Sequence, residues 1–360
     1  MLKIDLAKVY DKLEWSFIRD MLIRVNMPTN LVDIIMSCVT MVSTSIVFNG
    51  EALEPLDPSR GICQRDPLSP YLFILCMEFL GQLIEEKCST NLWRSIKVSR
   101  RGPSISHLMF ADDLMFFIKA NHVNCSAIRD VLNVFCNMSG QTVSEAKSRV
   151  FFSPNVDRDD REAFCYILKF ASTPCLGKYL CIPIRQPGMS SHEYNFILNR
   201  VKQKLVGWKA NLLSLTGRAM LIQASSAAIP SYVMQCASLP DRVLDGIDQV
   251  NRNFLWGTME NQKRVHWVRW QKVTKSKEGC LGFQTARGRN ISLLAKLNWR
   301  FHTEQEAPWA KVLKQKYCTT RRANATNADR LPCSQVWTAI KRGREVFNKG
   351  SMWIIRRDSK

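Results

Sequence analysis

Residues 105–118 read Ile-Ser-His-Leu-Met-Phe-Ala-Asp-Asp-Leu-Met-Phe-Phe-Ile, an apolar run with two adjacent carboxylates in its middle. Burying an uncompensated carboxylate is costly, and two side by side repel. A divalent cation removes both penalties. Neighbouring residues on a strand point to opposite faces, so Asp112 and Asp113 approach one ion only at a tight turn. The segment is therefore expected to be a β-hairpin with Phe110-Ala111-Asp112-Asp113 at its tip. Taken alone, an Asp-Asp pair is more often a solvated turn or a helix start, and the reading needs context.

The chain supplies a partner strand. Leu2, Ile4 and Leu6 alternate with Lys3 and Asp5, the pattern of a half-buried strand. Asp5, on its polar face, is a candidate third ligand, and three carboxylates on neighbouring strands suit two Mg²⁺ ions. Leu13, Phe17, Met21 and Val25 recur at helical spacing up to Pro28. Asn30 is a candidate cap for a second helix, with Asp33 at its third position. Asn49-Gly50 predicts a hairpin over 45–56. A third helix is expected from Pro67, with Leu68, Leu72, Leu75 and Phe79 buried, and a fourth over 124–138, ended by Ser139-Gly140. A short strand pair is expected over 176–184. From 192 to 256 the periodicity is helical, with Leu198, Val201 and Leu205 in one stripe and Pro230 and Pro240 as breaks. Beyond 257 it weakens, and Gly279, Gly282 and Gly288 suggest turns. This order fits an α+β class, a sheet backed by helices.

Composition narrows the function. With 46% hydrophobic and 23% charged residues, the 360-residue chain can bury a core and is not a disordered polyelectrolyte. No apolar run is long enough to span a bilayer, and the first residues lack a signal-peptide pattern. The 13 cysteines are irregularly spaced without a Cys-x-x-Cys pair, which points to reduced intracellular thiols rather than zinc or a disulfide framework. Of the net charge of +20, residues 261–360 carry +17, from 23 Lys and Arg against 6 Asp and Glu. The same stretch holds Trp267, Trp270, Trp299, Trp309, Trp337 and Trp353. Basic charge interleaved with aromatics suits nucleic-acid contact; a solvated basic face over a Trp-rich core is the alternative.

Lys3-Ile4-Asp5-Leu6-Ala7-Lys8-Val9-Tyr10-Asp11 resembles the first palm motif, and Arg60-Gly61-Ile62-Cys63-Gln64-Arg65-Asp66-Pro67-Leu68-Ser69-Pro70-Tyr71-Leu72-Phe73 the second, of the reverse transcriptases of plant LINE-type (non-LTR) retrotransposons. Phe110-Ala111-Asp112-Asp113 resembles the third, Ser139-Gly140-Gln141 with Lys147-Ser148 the fourth, and Leu176-Gly177-Lys178-Tyr179-Leu180 through Pro183 the fifth. Gly207-Trp208-Lys209, Leu215-Thr216-Gly217-Arg218, Phe254-Leu255-Trp256-Gly257, His266-Trp267 and Gly279-Cys280-Leu281-Gly282-Phe283 are similar to the thumb-side and C-terminal regions of the group.

The resemblance implies a right-hand polymerase palm over 1–185, a helical thumb-like region over 186–258 and a basic, Trp-rich region over 259–360. It implies RNA-directed DNA synthesis from deoxynucleoside triphosphates on an RNA template and DNA primer, with two Mg²⁺ ions and work in cytoplasm and nucleus. Neither a membrane nor a protein partner is indicated. Asp5, Asp112 and Asp113 would ligate metal, Asp113 more weakly. Lys147 falls where the family has a proposed general acid, or is a surface lysine. Tyr10 falls at the aromatic gate against a ribose 2′-hydroxyl, or is a core tyrosine. Gln64 falls in the loop near the nascent base pair, or is a turn residue.

Four positions depart from the family's usual residues: Arg65 and Cys181 stand for Gly, Val9 for Ala and Ser144 for Asn. Arginine takes a positive φ only at a cost that glycine avoids. The fingers and endonuclease that precede the first motif in this family are not in the sequence. The expectation is a truncated copy that does not copy nucleic acid by itself. A non-catalytic nucleic-acid-binding remnant is the alternative, and salt-sensitive binding unchanged by replacing Asp112 would mark it.

Overall fold

The computed structural model describes residues 1–99, 102–184, 191–205, 212–258, 264–274, 282–318 and 333–350. The segments Gly207-Trp208-Lys209 and Gly279-Cys280-Leu281, and Trp353, lie outside the described residues. The chain forms two compact units, Met1–Ile184 and Arg185–Lys360. The class is α+β.

In the first unit the strands are β1 (Leu2–Asp5), β2 (Val47–Phe48), β3 (Glu51–Ala52), β4 (Ile96–Lys97), β5 (Ser104–Ile105), β6 (His107–Phe110), β7 (Asp113–Phe116), β8 (Arg149–Val150), β9 (Ala171–Ser172), β10 (Lys178–Tyr179) and β11 (Ile182–Pro183). The helices are α1 (Trp15–Arg24), α2 (Thr29–Thr40), α3 (Ser69–Ser89), α4 (His122–Ser139) and α5 (Arg158–Leu168). A five-stranded sheet runs β6-β7-β1-β8-β9. Its neighbours are antiparallel except the parallel pair β8–β9. Three separate strand pairs complete the unit: β2–β3, β4–β5 and β10–β11.

The alternation along β1 sorts the sheet into two faces. Leu2 pairs with Phe116 and Val150, and Ile4 with Leu114. These residues are buried with Phe17, Leu80, Ile128 and Phe135 from α1, α3 and α4 in one core. Burial of this kind, at roughly 25 cal/mol per Å² of apolar surface, is the main force holding helices to sheet. The opposite face carries Lys3, Asp5, Asp113, Met115 and Arg149 by the same register.

Two helix starts differ from expectation. The second helix begins at Thr29 behind Pro28, so Asn30 lies inside it and its carboxamide oxygen accepts from Leu31 N at 2.9 Å. Asp33 pairs with Arg19 at 2.9 Å instead of closing a cap. The third helix begins at Ser69 rather than Pro67, with Asp66 accepting from Leu68 N and from the Ser69 hydroxyl, both at 3.3 Å.

Among its described residues the second unit is helical: α6 (Asn195–Lys204), α7 (Leu215–Leu221), a π-helical turn Ile222–Ser226, α8 (Ala228–Met234), α9 (Asp241–Trp256), α10 (Trp270–Val273), α11 (Ala286–Thr303), α12 (Pro308–Tyr317) and α13 (Gln335–Gly350). The turn expected at Gly288 is the first turn of α11, where its N–H bonds the Thr285 hydroxyl at 3.0 Å. Trp337 packs with Leu294, Leu297 and Ile340, and stacks on Tyr317 at 4.8 Å. Trp267 stands 81% exposed. The aromatics of the basic stretch are thus divided between core and surface. No described helix is long and apolar enough to cross a membrane.

Candidate active site

The carboxylates meet at one end of the sheet. Phe110 pairs with Asp113 across a two-residue turn, Ala111-Asp112. Asp113 in turn lies directly opposite Asp5 on β1. Directly opposed residues put their side chains on one face, with Cβ atoms roughly 5 Å apart. Asp112 is exposed in the turn, and Asp5 and Asp113 are half-buried. Lys147 Nζ stands 3.9 Å from Asp5 Oδ1, with the lysine side chain 72% exposed. Asp5 N donates to Ser148 Oγ at 3.1 Å, and Ser144 N to Asp5 O at 2.8 Å, which ties the 144–148 segment to the end of β1.

Among the described residues no group of three or more His, Cys, Asp or Glu is close enough to form a ready metal cage. The donors still fit a hard cation of the Mg²⁺ type. Such an ion is held by one or two carboxylates together with water and substrate phosphates, and Asp5 opposite Asp113 supplies two.

The segment after β1 is clamped from two sides. Gly61 N donates to Leu13 O and Ile62 N to Tyr10 O, each at 2.8 Å, and Trp15 Nε1 donates to Gly61 O at 2.7 Å. A Cβ at Gly61 would lie 2.9 Å from both Tyr10 O and Asp11 O. From the other side, buried Gln141 donates from Nε2 to Val9 O at 2.7 Å, and Ala7 N donates to Thr142 O at 2.8 Å. Gly140 closes α4 at φ 73°, where a Cβ would lie 2.6 Å from Lys12 O. The first, second and fourth motifs are therefore one assembly around residues 7–15.

Tyr10 stacks on Phe73 at 5.4 Å and packs against the core. Gln64 is exposed and donates to Asp11 Oδ1 at 3.4 Å. Arg65 holds a left-handed φ of 70°, the conformation glycine adopts without penalty.

Sequence reasoning missed what the β10–β11 hairpin does here. Lys3 Nζ donates to Lys178 O at 2.8 Å, which fastens this hairpin to β1. Burial, and then the charge of Asp113, push the Tyr179 phenol above its usual range. Tyr179 thus feels the charge of Asp113. Its place in the Leu176–Leu180 motif was the available signal.

Comparison with known proteins gives the family. The reverse transcriptase (RNA-dependent DNA polymerase) family model matches residues 1–198, more than half of the chain. A putative ribonuclease H protein of Arabidopsis thaliana is 34% identical over 48% of this chain and 28% of its own length. An uncharacterized mitochondrial protein of the same plant is 31% identical over 36% of this chain and 84% of its own length. The retrovirus-related Pol polyprotein of the type-2 retrotransposable element R2DM of Drosophila melanogaster is 31% identical over 32% of this chain and 10% of its own length. The chain thus spans under a third of the first and third of these relatives. It belongs to the reverse transcriptase (RNA-dependent DNA polymerase) family.

Proposed function

We propose that the first unit is a polymerase palm that adds deoxynucleotides to a DNA primer on an RNA template. The observation that carries this reading is Asp5 in register with Asp113, with Asp112 beside it and Lys147 at 3.9 Å from Asp5. Asp5, Asp112 and Asp113 would hold two Mg²⁺ ions. Bound there, the ions would acidify the primer hydroxyl and neutralise the triphosphate. Lys147 would give a proton to the departing pyrophosphate. Tyr10 would edge the sugar of the incoming nucleotide, and Gln64 would face the new base pair. Residues 186–258 would serve as a thumb-like region and 259–360 as a basic nucleic-acid-binding region.

Arg65 at positive φ is expected to hold the 60–66 loop in a strained and crowded form, so the chain as it stands extends primers poorly. The test is primer extension with Mg²⁺ by the parent chain, Arg65→Gly and Asp112→Ala. Weak or absent extension by the parent, a gain in Arg65→Gly and none in Asp112→Ala is the expected pattern. Extension that survives Asp112→Ala overturns the site. A folded chain that binds RNA but extends nothing, even as Arg65→Gly, supports the second reading, a non-catalytic binding remnant. That reading is favoured by the lack of a ready three-ligand cage among the described residues.

A further inference from the structure

In the second unit two adjoining cavities, of about 540 Å³ and 320 Å³, share Gln223, Gln284 and Arg289. The smaller is walled by Trp270 and Phe283, which are buried and stack at 5.9 Å with 24° between their planes. Buried Asn251 also lines it, held by the Ser226 hydroxyl, which donates to Asn251 Oδ1 at 2.5 Å. Ser226 ends the π-helical turn Ile222–Ser226, a distortion frequent at functional sites. The larger cavity runs past Tyr232, Gln235 and Ser292.

Arg289 distinguishes this place from an ordinary crevice. It is half-buried, and among the described residues its guanidinium makes no hydrogen bond or ion pair. Burial lowers its pKa, and no carboxylate among the described residues offsets the effect. Arg287, two positions earlier, pairs with Asp241 at 2.7 Å and Asp245 at 3.3 Å. The Asp248 carboxylate accepts instead from Ala286 N at 3.0 Å. A partly desolvated cation without a counter-ion is costly, and a bound anion relieves that cost. Phosphate matches the guanidinium fork.

We propose that these cavities hold one nucleotide of a single-stranded nucleic acid, its base in the smaller cavity with Trp270 and Phe283, its phosphate on Arg289, and the adjoining backbone along the larger cavity past Tyr232. Aromatic walls with amide groups suit a base, and the net +17 of residues 261–360 favours a polyanion over a small neutral ligand. The site uses none of the carboxylate residues and stands independently of the polymerase reading.

A single-stranded RNA carrying one 2-aminopurine and an end label tests this with the full chain, by base fluorescence and by anisotropy. The parent should quench the 2-aminopurine on binding. Arg289→Gln should bind about tenfold more weakly, lose the quench, and lower the log–log salt slope by about 0.7. Arg287→Gln, which removes the same charge from an ion-paired arginine, should keep the quench. Tyr232→Ala alters a side chain 51% exposed, so folding is not at stake; it should weaken binding about fivefold. Adenosine monophosphate should displace the strand only at about a hundredfold greater concentration. Displacement at matched concentration overturns the strand as occupant. Parent-like binding and quenching by Arg289→Gln overturns the site. Neither result bears on whether Asp112→Ala abolishes primer extension.

Discussion

Two hairpins of the first unit have the same turn and opposite chemistry. In one, Phe48 pairs with Glu51 around Asn49-Gly50, at φ 49° and 90°. In the other, Tyr179 pairs with Ile182 around Leu180-Cys181, at φ 47° and 63°. Positive φ at both central residues suits the strand twist, and Asn-Gly adopts it readily. Leu and Cys do so at roughly 1–2 kcal/mol each. Yet the well-made turn tips a ribbon whose residues are all exposed from Ser43 to Arg60. The strained one is fastened by Lys3 to Lys178 O, and its Tyr179 feels the charge of Asp113. Local chemistry holds the first hairpin; tertiary contacts hold the second against its own preferences.

The largest effect is expected where the local preference is repaired. Leu180→Asn with Cys181→Gly should stabilise the chain by about 1–2 kcal/mol, read by urea unfolding. No gain would mean the surrounding contacts, rather than the turn residues, set the energy of this segment. Gly50→Ala should cost about 1 kcal/mol from φ alone, because a Cβ there meets nothing within 4 Å. The ribbon opens locally, so the loss should appear as faster amide exchange at Thr44 and Leu56, whose N–H groups each bond the other's carbonyl at 3.0 and 2.8 Å. Unchanged exchange at those amides would show that the turn does not hold the ribbon.

Between these two lies the turn that presents the carboxylates. Ala111 has φ 50°, uncommon for a residue with a Cβ. Ala111→Gly should relieve strain and stabilise by about 0.5 kcal/mol, the strain relief being partly cancelled by the entropy of glycine. A thermal melt is sufficient to detect it. A destabilised variant would mean that the alanine methyl, which packs against the core, outweighs the backbone term.

The same contrast explains what could be read from the sequence. Turn and strand chemistry with a short range was legible: the alternation of Leu2 and Ile4, the Asn49-Gly50 tip, the Asp112 tip and the stop at Gly140 all stand where the residues put them. The roles of Gly61 and Gln141 were not, because their meaning lies across the chain, in the carbonyls of Tyr10, Asp11 and Val9. Helix α5 was missed, since few of its residues are buried to mark a stripe. Helices α11 to α13 were obscured by basic residues that weaken the apolar period, although Leu294, Leu297, Leu313 and Ile340 do face a core. Of the site, the place of Asp5 was legible from the alternation along β1, and the Asp112-Asp113 tip from its apolar flanks together with the family resemblance. Tyr179 needed the hairpin to be folded back onto β1.

The smallest effect separates a working carboxylate site from an inherited shape. Asp5 and Asp113 are directly opposed, and like charges in that position destabilise by roughly 0.2–1 kcal/mol. Asp113→Asn should therefore stabilise the metal-free chain by about 0.5 kcal/mol, a gain that shrinks as salt screens the pair. Adding Mg²⁺ should reverse the ranking, because an ion bound only by the folded state stabilises in proportion to its affinity. The parent would then rise in melting temperature with Mg²⁺ while Asp113→Asn rises less. Equal Mg²⁺ responses in the two chains would mean that Asp113 takes no part in holding the ion. The cost of opposing two carboxylates would then have no return in this chain, and the hairpin beside Tyr179 would preserve the form of a site without its chemistry.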